Sequence, residues 1–234
     1  MNKKKKMNNL EYDPEDHSYS VDGKYIPGFS EIINPLVIRI CERCQGVGCE
    51  YCKGKGRTNW YTEESSKRGK WIHERCYEIL KGESDTDWWR WIESKFPDFV
   101  GHLRGWERFL KEYALFGKQF ISEYPLHSPE IFTAGTPDLI FPTAGIGIEI
   151  KSGLKHESHI YQISVYNHLV EWNVKQGWLS EYELPRGPMR WFLVYLTEKG
   201  YDAREYPNKL NTYRIKFQSF QATYMAYLEF TGGK

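Results

Sequence analysis

The sequence predicts a mixed α/β (α+β) domain built around a central sheet, and three observations predict it. Stretches with strand character, Phe120–Leu126, Gly135–Phe141, Gly145–Lys151 and Arg190–Leu196, occupy the middle and late chain. Helical apolar stripes lie to either side of them. Aromatic residues make up 16% of the 234 residues. That is enough apolar surface for a packed core, since each buried ring covers on the order of 150–250 Å². With 40% apolar and 27% charged residues, the chain is not collagen-like, a coiled coil or disordered as a whole. The longest clean apolar run, Trp191–Leu196, is far short of the roughly 20 residues a membrane span needs.

The elements follow in order. Residues 1–9 read as a disordered basic tail, and no apolar segment of the kind found in a secretory signal follows it. A soluble, cytoplasmic protein is expected. Residues 10–27 read as a hairpin turning at Asp22-Gly23, and 28–38 as a short helical or irregular piece ending near Pro35. Residues 39–57 read as an insertion in one domain that spans 10–234. A helix is predicted from about Ser66 to Lys81, with Ile72, Cys76, Ile79 and Leu80 on its core stripe and Gly82 at its end. Cys76 there is expected to be a buried, inert thiol. Further helices are predicted at about 86–96, 103–116, 158–172 and 219–230, and a strand at 201–206 pairing with 190–196.

The insertion carries four of the five cysteines, as CERCQGVGCEYCKGKG. Cys41 and Cys44 form one C-x2-C pair, and Cys49 and Cys52 another. This spacing lets both thiolates of a pair turn toward one ion, and the glycines permit the tight knuckles. Four thiolates leave no open position, so a structural Zn²⁺ is expected. An iron–sulfur cluster is disfavoured by the spacing, and disulfides by the reducing interior expected for the chain. The segment resembles the C-x-x-C-x-G-x-G repeats of DnaJ-type zinc domains, with only two copies.

Net charge is +1, but it is unevenly spread. Residues 1–8 hold four lysines and no acid, and residues 39–75 hold nine Lys or Arg against five acids. Basic patches on an otherwise acidic body suit a polyanion, or are simply solvated faces. Arg43, Lys53, Lys55 and Arg57 of the insertion are the candidate nucleic-acid contacts.

The chemistry-bearing stretch is GTPDLIFPTAGIGIEIKSG, residues 135–153. Strand alternation sends Ile148 and Ile150 into the core and Glu149 with Lys151 to the other face. A preceding strand joined by a short turn brings Asp138 beside them, so Asp138 and Glu149 can converge on one hard cation. Lys151 then stands where it can activate water or stabilise charge on phosphate oxygens. Alone, an E-x-K pair is usually a surface ion pair on an exposed strand face. Gln162 and Tyr166, four apart on the next helix, and His73 beside its helix's core stripe strengthen the pattern. His156, His159 and His168 are read as surface residues, with His159 close enough to the cleft to touch a phosphate.

In order, Tyr19–Pro27, Arg68 to His73, Glu123 to Pro125, Gly135 to Asp138, Glu149 to Lys151, and Gln162 to Tyr166 resemble the motif series of the PD-(D/E)XK nuclease superfamily, in its RecB-like and phage-exonuclease branch. The resemblance covers about residues 10–172. It implies a restriction-endonuclease-like central mixed sheet flanked by helices, with the zinc-knuckle insertion added. It further implies Mg²⁺ or Mn²⁺ held by Asp138, Glu149, His73 and the Ile150 carbonyl. Lys151 would be the catalytic lysine, Gln162 and Tyr166 would hold the DNA backbone, and Glu123 would be an extra carboxylate. The expected activity is a metal-dependent DNA exonuclease of recombination, repair or phage replication, in a bacterial or phage-infected cell. Its partners would be DNA and a recombination or annealing protein, with no membrane. A structure-specific or restriction-like endonuclease, or a non-catalytic zinc-dependent DNA-binding module, are the alternatives.

Overall fold

In the computed structural model, which describes residues 10–14, 17–37, 39–40, 44, 47, 49–50, 57–58, 63–153, 155–184, 189–206 and 210–231, helices flank a central five-stranded sheet. The chain enters through three short strands, β1 (Leu10–Asp13), β2 (Ser18–Val21) and β3 (Lys24–Ile26), paired antiparallel in that order. Asp22 and Gly23 connect the last two with φ of 51° and 71°. This is the left-handed two-residue turn that the Asp-Gly pair favours. Helix α1 (Phe29–Val37) runs past Pro35, where the sequence predicts an end. The proline lies in the last turns, so its missing N–H costs one helical bond and does not break the helix.

The insertion springs from a two-stranded stem. Strand β4 (Arg39–Ile40) pairs antiparallel with β5 (Arg57–Thr58), with Ile40 opposite Arg57. Cys44 and Cys49 are half-buried, and the Val47 N–H bonds the Cys44 carbonyl at 3.0 Å in a tight turn. The expectations for residues 1–9, Cys41, Arg43, Cys52, Lys53 and Lys55, and for the Arg57 side chain, lie outside the described residues.

Three helices follow: α2 (Glu63–Lys81), α3 (Thr86–Lys95) and α4 (Val100–Glu112). The α2 stripe of Ile72, Cys76 and Ile79 is fully buried against Trp106, Phe109 and Leu110 of α4. Burial pushes the Cys76 thiol well up, so it stays protonated and inert, as expected. The Trp106 indole N–H bonds the Cys76 carbonyl at 2.9 Å and locks the two helices together.

The remaining elements are β6 (Ile121–Ser122), β7 (Leu126–Ser128), β8 (Thr133–Gly135), β9 (Leu139–Phe141), β10 (Ile146–Lys151), α5 (Ser158–Lys175), β11 (Arg190–Thr197), β12 (Gly200–Glu205) and α6 (Leu210–Thr231). The sheet order is β12-β11-β10-β9-β6, with β10 and β11 parallel and the other pairs antiparallel. Two predicted strands are each split. The first breaks at Glu123, whose φ of 46° leaves the extended region. The second breaks around Pro137, which has no N–H for a ladder. The freed halves pair with each other as a β7–β8 ribbon. Helix α6 begins at Leu210, nine residues before the expected start.

The core lies on both faces of the sheet. On β11, Phe192, Val194 and Leu196 join the α2–α4 side, and Trp191, Leu193 and Tyr195 join the α1, α5 and α6 side. Strand β10 is thus covered on both faces. Among the described residues, no helix is long and apolar enough to cross a membrane.

Candidate active site

Strand alternation on β10 sends Ile146, Ile148 and Ile150 into the α2–α4 core. The other face of the strand carries Glu149 and Lys151. Because β10 is central, this is not an exposed face: Glu149 is only 2% exposed and Asp138 9%. A surface ion pair is thereby excluded. Lys151 Nζ bonds Glu149 Oε1 at 2.7 Å inside the protein.

Asp138 enters from the start of β9, the antiparallel neighbour of β10. The Ile150 N–H donates to Asp138 Oδ2 at 2.7 Å and fixes the carboxylate. Helix α2 closes the site with His73, whose Nε2 lies 3.1 Å from the Ile150 carbonyl and whose Nδ1 lies 3.7 Å from Asp138 Oδ1. A carbonyl only accepts, so Nε2 carries the hydrogen. Burial, aided by Lys151, holds the His73 pKa down, so Nδ1 is a bare lone pair facing a carboxylate oxygen.

From α5, Gln162 Nε2 donates to the Tyr166 hydroxyl at 3.0 Å. The Tyr166 ring packs against Gly135 so closely that a Cβ there would lie 2.5 Å from a ring carbon. Only glycine permits that approach. Glu123 accepts a 3.4 Å bond from the Tyr77 hydroxyl, which also lies 3.2 Å from the Asp138 carbonyl. The N-terminal hairpin reaches the same place: Tyr19 and Thr136 share a 2.7 Å hydrogen bond between their hydroxyls.

His73, Glu123, Asp138, Glu149, Lys151, Gln162 and Tyr166 therefore line one cavity of about 930 Å³, with the Ile150 carbonyl beside it. Tyr77, Lys70 and Thr136 line it too, and sequence reasoning missed them. Tyr77 had a readable signal, because it stands four residues after His73 on the same helix face. Of the histidines expected at the surface, His159 and His168 are buried. His168 is not the base of a Ser128 nucleophile, although Ser128 Oγ lies 3.0 Å from its Nε2. Arg214 donates to Nδ1 at 2.7 Å, so Nε2 carries the hydrogen and donates to the serine.

The carboxylates are electrostatically strained. Burial, then the nearby Asp138 charge, pushes Glu149 up to about 7, and Lys151 opposes this. Burial pushes Asp138 up to about 6 against the pull of Lys151 and the Ile150 N–H. Among the described residues, no three His, Cys, Asp or Glu side chains are gathered as a ready-made ion cage. The Ile150 carbonyl, an implied ligand, is bonded to His73, another implied ligand. Not every acceptor in the site has a donor. Glu149 Oε2 is buried with no hydrogen-bond partner, and His73 Nδ1 faces Asp138 Oδ1. Oxygen-rich acceptors with one imidazole are the donor set of a hard divalent cation, so the residues fit one. No protein-family model matches the chain, and no curated protein matches it.

Proposed function

We propose that the chain is a divalent-metal-dependent DNA nuclease of the PD-(D/E)XK type, acting as an exonuclease in recombination, repair or phage DNA metabolism. The observation that carries this reading is the pairing of two buried carboxylates, Asp138 and Glu149, with Lys151 in one cavity. A stability-driven design has no use for Glu149 Oε2 buried without a partner. The five-stranded mixed sheet, with the candidate residues on neighbouring strands, supports a restriction-endonuclease-like fold.

In this reading Asp138, Glu149, His73 and the Ile150 carbonyl hold Mg²⁺ or Mn²⁺, which polarises a phosphoryl oxygen and lowers the pKa of water. The protein's own groups do the positioning. The Ile150 N–H keeps Asp138 from rotating. Glu149 tethers Lys151 at 2.7 Å in a largely buried position, where its charge stabilises growing negative charge on a phosphate better than it would in bulk water. Gln162, braced by Tyr166, keeps a second amide hydrogen to donate to a phosphate oxygen. Glu123 is braced by Tyr77 and adds negative charge at the cavity's edge.

Cys41, Cys44, Cys49 and Cys52 hold a structural Zn²⁺, since soft thiolates at C-x2-C spacing select it over the hard catalytic cation. The turn at Cys44 suits such a knuckle. Arg43, Lys53, Lys55 and Arg57 then grip DNA phosphates, and a recombination or annealing protein is the expected partner. The test is degradation of end-labelled linear and closed circular DNA with Mg²⁺, Mn²⁺ or EDTA. Metal-dependent loss of linear DNA, with circular DNA spared, is the expected result. Intact DNA under every metal condition rejects the reading, and cutting of the circle replaces exonuclease by endonuclease.

A further inference from the structure

The carboxylate cavity has a wall that the chemistry above does not use. Tyr12, Pro14, His17 and Tyr19, from the first two strands and the turn between them, line it alongside the reacting groups. Antiparallel pairing sets Tyr12 of β1 directly across from Tyr19 of β2, so both rings lie on one face of the small sheet. The rings stack, with centroids 4.9 Å apart and planes 23° apart.

The stack is braced at both ends. Tyr19 is buried, and a Cβ on Gly28 would lie 3.0 Å from its ring. Its hydroxyl shares a 2.7 Å hydrogen bond with Thr136, two residues before Asp138. Tyr12 is half-buried, and its hydroxyl lies 2.9 Å from His17 Nδ1. The His17 ring, 6.0 Å away and tilted by 56°, therefore stands at the hydroxyl edge of Tyr12 and not on its face. His17 is exposed and holds a φ of 57°, a left-handed backbone that costs a non-glycine residue energy. A cross-strand tyrosine pair is ordinary sheet packing. Packing alone gives no reason to turn Tyr12 to the carboxylate cavity and tie its hydroxyl to an exposed, strained histidine.

Charge divides the cavity further. Its described lining includes five acids, Glu31, Glu74, Glu123, Asp138 and Glu149, against two lysines. A phosphate is therefore tolerated only beside a bound cation and Lys151, and what lies against the tyrosine wall must be uncharged. A nucleobase is neutral and flat, and its amino groups can donate to carboxylates.

We propose that Tyr12, backed by Tyr19 and braced by His17, is a stacking platform for one unpaired nucleobase. The base belongs to the nucleotide beside the phosphate held at Asp138 and Glu149. That placement rests on the nuclease reading, while stacking on Tyr12 does not. A base lying inside a walled cavity has left the duplex stack, so the substrate class is a single strand or the frayed end of a duplex. Stacking uses a ring face that every base offers, so no sequence preference accompanies it.

Two measurements test this. In the first, a fluorescent oligothymidylate hexamer is titrated by anisotropy in Mn²⁺, with every variant built on Lys151→Met so that the strand stays intact. Tyr12→Leu is expected to weaken binding about tenfold (roughly 1.4 kcal/mol), and Tyr12→Phe, which keeps the ring, by less than about threefold. His17→Gly, which accepts the left-handed backbone and removes the brace, should fall between them. On an abasic hexamer, with the same phosphates and no bases, the Tyr12→Leu loss should shrink to within about twofold. Unchanged binding in Tyr12→Leu, or an equal loss on both hexamers, overturns the platform. In the second, KM and kcat are measured on single strands and on blunt, GC-rich duplex ends. Tyr12→Leu should raise KM on single strands about tenfold with a smaller fall in kcat, as for lost ground-state binding. Equal KM of the parent protein on single strands and blunt ends overturns the unpaired base. Base-dependent binding lost in Tyr12→Leu, in a protein that cuts no DNA, supports the platform and rejects the nuclease. Cleavage with unchanged KM in Tyr12→Leu rejects the platform and leaves the nuclease standing.

Discussion

The Ile150 amide holds Asp138 Oδ2 at 2.7 Å, which leaves Asp138 Oδ1 facing the lone pair of His73 Nδ1 at 3.7 Å. One carboxylate is thus fixed by its neighbouring strand while its second oxygen is set against another acceptor. Two acceptors face to face are stable only with a proton or a cation between them.

Metal-free protein should lose stability as pH rises. In the unfolded chain Asp and Glu titrate near about 4. In the fold Asp138 titrates at about 6 and Glu149 at about 7. The folded state therefore binds these protons more tightly. Their favourable contribution is complete below about pH 4 and is lost as pH rises through 6 and 7. Urea unfolding in EDTA should show Asp138→Asn and Glu149→Gln more stable than wild type at pH 8, each by on the order of 1–3 kcal/mol. At pH 4 the difference should vanish. Variants less stable than wild type at pH 8 would mean that the carboxylates are structural.

Adding Mn²⁺ at pH 8 should raise the unfolding midpoint of the wild type, because an ion that binds only the folded state stabilises it by mass action. His73→Ala should need more Mn²⁺ for the same rise, and its activity should recover at high Mn²⁺. Superimposable titration curves for the two proteins would reduce His73 to a structural residue.

Lys151→Met should abolish cleavage, by about a hundredfold or more (roughly 2.7 kcal/mol of barrier), while DNA still binds. In the proposed reaction Lys151 acts through its charge, and methionine keeps its apolar stem. Gel-shift affinity and cleavage rate measured side by side decide the matter, and an unaltered rate would remove the lysine from the chemistry.

Gly135→Ala should destabilise the fold by about 1–3 kcal/mol, since its Cβ would press on the Tyr166 ring at 2.5 Å. A smaller side chain in Tyr166→Leu should recover part of that loss. Denaturation midpoints that do not move would show that the ring can retreat freely.

Replacing Cys44 and Cys49 by serine should release one equivalent of zinc by elemental analysis and weaken DNA binding more than turnover at saturating DNA. Zinc-free wild type would refute the metal knuckle, and iron in its place would mean a cluster.

Much of the site was legible because it rests on local periodicities. Alternation on β10 groups Glu149 with Lys151, the β9–β10 turn brings in Asp138, and the four-residue step aligns Gln162 with Tyr166. Burial of Glu149 was not legible, because it follows from the central place of β10 in the sheet, a long-range property. The strand break at Glu123 was hidden by a left-handed backbone on a residue type that seldom adopts it.

The central claim is that Asp138 and Glu149 form the reacting centre of a metal-dependent nuclease. The most direct test is the rate of Mn²⁺-dependent release of label from end-labelled linear DNA by wild type, Asp138→Asn and Glu149→Gln at equal concentration. The account predicts measurable release by the wild type, none in EDTA, and at least about a hundredfold loss in each variant (roughly 2.7 kcal/mol of barrier). Either folded variant keeping more than about a tenth of the wild-type rate (a barrier change under roughly 1.4 kcal/mol) would contradict it.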